Sequence, residues 1–83
     1  MALFFVAYDL DKPAQNYQNL WDELESLGAI RIQDSVWALK FDGTPRNLYD
    51  TISRHISTKI DRLLVVKNGG STFINLMTNP NDL

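Results

Sequence analysis

Leu3-Phe4-Phe5-Val6-Ala7-Tyr8 decides the fold, because six apolar residues follow one another before Asp9 ends the run. A strand with one wet face would alternate. An unbroken run reads as a central strand covered on both faces. The run is far too short for a membrane span or the core of a signal peptide. Beyond it, Asp9-Leu10-Asp11-Lys12-Pro13 breaks the pattern, since proline donates no ladder hydrogen bond and disfavours helix in the residue before it.

Outward from that strand, residues 14–27 predict a helix. Tyr17, Leu20, Trp21, Leu24 and Leu27 recur at helical spacing, Asp22, Glu23 and Glu25 lie elsewhere round the wheel, and Gly28 stops it. Ile30 and Ile32 then alternate with Arg31 and Gln33, as in a short strand. From Ser35 to Phe41 a second alternation sets Trp37, Leu39 and Phe41 against Val36 and Ala38. Gln33-Asp34-Ser35 between them is either a tight turn or a kink in one long strand. Thr44 offers a capping hydroxyl and Pro45 the favoured first helical position for a helix over 45–56, with Leu48, Ile52 and Ile56 at four-residue steps. Residues 63–66 form another apolar strand, Asn68-Gly69-Gly70 a turn, and residues 72–76 a last strand before a polar tail.

This order is the split βαβ pattern: a ferredoxin-like α+β domain over residues 1–83, an antiparallel sheet with both helices on one face and an additional C-terminal strand. The other sheet face then needs a cover. At 83 residues one core is marginal, and the usual remedies are disulfides, a metal staple or an oligomer. There is no cysteine, and His55 is the one histidine, yet 45% of residues are hydrophobic. A homodimer is the remedy that remains, with the last strand adding to the partner's edge. The absence of cysteine and of any export-like segment makes the cytoplasm the expected location, with no membrane partner. A net charge of −2 argues against a surface that grips phosphate everywhere, leaving a local basic patch as the route to nucleic acid.

Tyr8-Asp9-Leu10-Asp11 is the most suggestive chemistry. Asp9 and Asp11, two hard-oxygen carboxylates at a strand end, suit a magnesium ion that keeps most of its waters, and a dimer would bring two such sets together. Aspartates after a strand also serve simply as turn formers. Ser35, beside Asp34, offers a hydroxyl to a water or a phosphate, or satisfies a turn. His55, at the edge of the second helix's apolar stripe, is expected to meet that helix's terminal carbonyls. Arg46 and Arg54 on the second helix and Arg62 beside the fourth strand are the candidate nucleic-acid contacts. Tyr17, Trp21 and Trp37 are core or dimer-interface residues, or else stacking platforms for bases.

The first strand ending in Tyr8-Asp9-Leu10, the helix end Leu27-Gly28 and the strand Gln33-Asp34-Ser35-Val36-Trp37 together resemble the CRISPR-associated protein two family. Asp9-Leu10-Asp11 and Asn16-Tyr17 are similar to the virulence-associated protein D family. The resemblance covers residues 3–41 and implies a ferredoxin-like dimer, metal-dependent cleavage of RNA or DNA, Asp9 as the metal-binding aspartate, and Tyr8 and Ser35 in the same cleft. It implies a place in a CRISPR or toxin–antitoxin system. The chain departs from the first family in having no lysine or arginine over residues 14–28. Two functions follow as expectations: a magnesium-dependent endoribonuclease or nucleic-acid-binding protein with Asp9, Tyr8 and Ser35 at its site, or a non-catalytic protein-interaction module of the same fold.

Overall fold

A computed structural model describes residues 1–10, 17–57, 61–70, 76–80 and 83. Its elements run β1 (Ala2–Asp9), α1 (Gln18–Ser26), β2 (Ile30–Gln33), β3 (Val36–Phe41), α2 (Pro45–Ser53) and β4 (Arg62–Lys67). The sheet order is β2-β3-β1-β4, with every neighbouring pair antiparallel. This is the ferredoxin-like α+β arrangement, and the unbroken apolar strand β1 is central in it.

Strand alternation sorts β1 into two sides. Phe4, Val6 and Tyr8 are buried and join Leu20 and Leu24 of α1, Leu48 and Ile52 of α2, and Trp37 and Leu39 of β3 in one core. Phe4 meets Phe41 edge-to-face, ring centroids 5.7 Å apart. Leu63 and Val65 of β4 pack against this core. Leu3, Phe5 and Ala7 point the other way and are half-buried.

The helix ends follow local chemistry. Thr44 and Asn47 form a reciprocal capping box at the start of α2, with Pro45 just inside it. At the end of α1, Gly28 takes φ +80°, Gly28 N–H donates to Glu25 O, and Ala29 N–H donates to Leu24 O. This is the Schellman closure that only a residue tolerant of left-handed backbone makes cheaply. Both helices are shorter than their patterns predict. Residues 14–16 lie outside the described residues, and after Ser53 α2 gives way to tighter turns, in which His55 N–H donates to Ile52 O and Ile56 N–H to Ser53 O.

Asp34 and Ser35 form the turn between β2 and β3, which settles the question of turn or kink. A register irregularity falls between Arg31 and Gln33. Most of the predicted last strand, 71–75, lies outside the described residues. Met77 N–H donates to Ile32 O at 2.9 Å, so this part of the tail sits beside β2 of its own chain. No helix of the described residues is long and apolar enough to cross a membrane.

Candidate functional site

A cleft of about 260 Å³ opens at the end of β1, lined by Tyr8, Asp9 and Leu10 from β1 and its exit, Tyr17 and Trp21 from the α1 side, and Arg31, Asp34 and Ser35 from the β2–β3 hairpin. Three predicted site residues are thus together. Ser35 is held there by its backbone, since Tyr8 N–H donates to Ser35 O at 3.0 Å. Tyr8 is on the core side and buried; Asp9, its neighbour, falls on the opposite side and is exposed. Asp11 lies outside the described residues.

The Tyr8 phenol is the centre of the site. Its oxygen accepts hydrogen bonds from Trp37 Nε1 (3.0 Å), Trp21 Nε1 (3.2 Å) and Arg31 NH2 (3.2 Å). These donors come from β3, α1 and β2, so four elements converge on one atom. Arg31 opposes Trp37 in the β2–β3 register and therefore shares its face. The guanidinium carbon lies 5.1 Å from the Trp37 ring centre and 5.4 Å from that of Trp21, within range of cation–π attraction to both. Its Nε is buried with no acceptor among the described residues.

Arg31 is the cleft residue that pattern reading misses. Its alternation with Ile30 and Ile32 is visible, and the ordinary inference places the isoleucines inside and the arginine outside. Here both faces of β2 are covered: Ile32 is buried on one side, while Arg31 enters the cleft on the other. What decides it is the pairing of Arg31 with Trp37, which the sequence does not carry.

The predicted basic contacts fare differently. Arg46 pairs with Asp50 at 3.1 Å and lies over the Tyr49 ring, and Arg54 caps the end of α2; neither lines the cleft. Arg62 NH1 donates to Asp9 Oδ2 at 2.8 Å, across the β1–β4 register. Both partners are largely exposed, which makes this a weak, solvent-screened pair. His55 does not serve helix carbonyls through its ring: its Nε2 lies 3.3 Å from Glu23 Oε1 on α1. Of the candidate stacking aromatics, Tyr17 and Trp37 are buried and Trp21 is half-buried at the cleft.

The predicted magnesium pair, Asp9 and Asp11, is seen only in part, because Asp11 lies outside the described residues. Asp9 has its carboxylate engaged by a guanidinium, Arg31 brings a positive charge to the same cleft, and the described residues contain no group of three metal-ligating side chains. A hard divalent cation wants several oxygen ligands and no neighbouring cation.

No protein-family model matches the chain. Its fold is similar to the crystal structure of a hypothetical protein, TT1823, from Thermus thermophilus, with 27% sequence identity, 88% of each chain covered and a TM-score of 0.68.

Proposed function

We propose that this protein is a homodimer that binds nucleic acid, RNA foremost, through the clefts at the ends of its two β1 strands. The observation that supports this best is the meeting of Arg31, two indole N–H groups and the Tyr8 phenol beside Asp9 and Ser35. A cation and oriented donors at a strand end suit a phosphate backbone. The resemblance to the CRISPR-associated protein two family points the same way. Magnesium-dependent cleavage is part of this proposal only as a property of the dimer, in which a second copy would bring its own Asp9.

The test is to incubate purified protein with labelled single-stranded RNA, with Mg²⁺ and with EDTA, beside Asp9→Ala, and to measure mass in solution. The reading expects a dimer that shifts RNA in a gel. It also expects any Mg²⁺-dependent cleavage to fall by about 100-fold in the variant, the scale on which weakened metal sites lose activity. A wild-type monomer that neither shifts nor cuts RNA overturns it. That result would favour a protein-interaction module, a reading supported by exposed Leu64 and Val66 on β4 together with the acidic balance of the chain.

A further inference from the structure

We infer that the cleft is an anion site that works without a metal, in which the Tyr8 hydroxyl is the donor and the phosphate of a nucleotide, or of a single nucleic-acid strand, is the ligand. This deepens the nucleic-acid reading above and rests on it.

The first argument is a count of protons and lone pairs. Indole N–H and guanidinium groups donate and never accept, while a phenol oxygen has two lone pairs and one proton of its own. Three such donors lie within reach of the Tyr8 oxygen, one more than its two lone pairs accept from, so at most two bond it at a time. None of them can receive the phenol's proton, and the described residues supply no other acceptor for it. The proton is left for an acceptor that enters the cleft Tyr8 lines. Hydrogen bonds received by an oxygen polarise it and strengthen the bond it donates, so this hydroxyl is a better donor than a solvated phenol.

The second argument is charge. Arg31 is held against two indole rings and makes no ion pair with any described carboxylate. Its buried Nε lacks an acceptor. A partly buried cation without a counter-ion is costly, and an entering anion removes much of that cost. Two carboxylates also line the cleft. Asp9 is exposed and paired with Arg62, and Asp34 stands exposed at the rim, so solvent weakens the repulsion from both. The balance at the Tyr8 end is positive and donor-rich. A carboxylate ligand would leave much of a cleft of about 260 Å³ empty. A phosphate with its sugar occupies it better, and half-buried Trp21 offers an aromatic surface to a base.

The chain's two tryptophans both touch the Tyr8 oxygen, so they report on the site. Tryptophan fluorescence of the full chain is titrated in EDTA with the dinucleotide UpU, with inorganic phosphate and with uridine, for wild type, Tyr8→Phe and Asp34→Asn. Circular dichroism checks that each variant is folded. Wild type is expected to show saturable changes with UpU and, more weakly, with phosphate, and none with uridine. Tyr8→Phe is expected to bind UpU about tenfold more weakly, as befits loss of one charge-assisted hydrogen bond. Asp34→Asn, which touches none of the Tyr8 donors, is expected to bind about twofold more tightly. Should Tyr8→Phe fail to fold, the Asp34→Asn arm still decides.

Wild type that ignores UpU in EDTA overturns the inference. So does a Tyr8→Phe protein that binds as wild type does, an Asp34→Asn protein that binds more weakly, or a response to uridine equal to that to UpU. UpU binding without any RNA shift leaves the anion site standing and removes the nucleic-acid function. RNA shifted equally by wild type and Tyr8→Phe does the reverse.

Discussion

The two sides of β1 make the most instructive contrast in the molecule. On one side Phe4 and Val6 are fully buried and lead to Tyr8, whose single oxygen gathers donors from three other elements. On the other, Leu3, Phe5 and Ala7 are only half-covered, and their cross-strand neighbours Val66 and Leu64 on β4 are 41% and 59% exposed. The residues are equally apolar on both sides, so hydrophobicity does not distinguish them. The first side is finished by its own helices. The second has the character of a surface that awaits a cover, and the proposed twin supplies one.

If that contrast is real, truncation on the two sides has opposite consequences. Phe4→Ala removes a side chain with no exposure and empties the space beside Phe41. It is expected to cost about 3–5 kcal/mol, much of the stability of a small domain, in urea denaturation followed by circular dichroism. A loss below about 1 kcal/mol would mean that the helix side is not sealed as described. On the open side, Leu64→Lys with Val66→Lys should leave the folded chain within about 0.5 kcal/mol of wild type at dilution. The same pair should weaken the proposed dimer about 100-fold or more in sedimentation, because cations are forced into an apolar contact. Unchanged sedimentation would remove the twin from this face.

The same contrast explains which features were legible in the sequence. Leu27-Gly28-Ala29 and Thr44-Pro45 announce helix ends because the chemistry of a cap is local, and the structure closes both helices there. The unbroken run in β1 announced a central strand because both of its faces are apolar, although the chain itself seals only the face of Phe4, Val6 and Tyr8. Alternation in Ile30-Arg31-Ile32-Gln33 gave two faces without saying which looked towards the helices. That depends on the pairing of Arg31 with Trp37, a fact of register. The convergence on Tyr8 was invisible for the same reason: its donors lie 13, 23 and 29 residues away along the chain. Adjacency of Tyr8 and Asp9 did mark the right strand end, though the alternation that buries one exposes the other.

The helix layer has one polar seam, and it should be softer than the sealed core beneath it. Glu23 on α1 accepts from the His55 ring across the gap to α2 and from the Ser26 hydroxyl at 3.0 Å, and these bonds hold its carboxyl below the usual glutamate range. A carboxyl whose pKa is lowered in the folded state releases its proton more readily there than in the unfolded chain. The stabilisation is therefore fully present above the unfolded glutamate pKa, near 4.5, and is lost as pH falls through the lower folded value. Both side chains are partly exposed, so solvent limits the effect to less than about 1 kcal/mol. Urea midpoints at pH 7, 5 and 3 should show wild type losing more stability on acidification than Glu23→Gln, which carries no proton to gain. Parallel loss in the two proteins would take the seam out of the acid response and leave the other carboxylates to account for it.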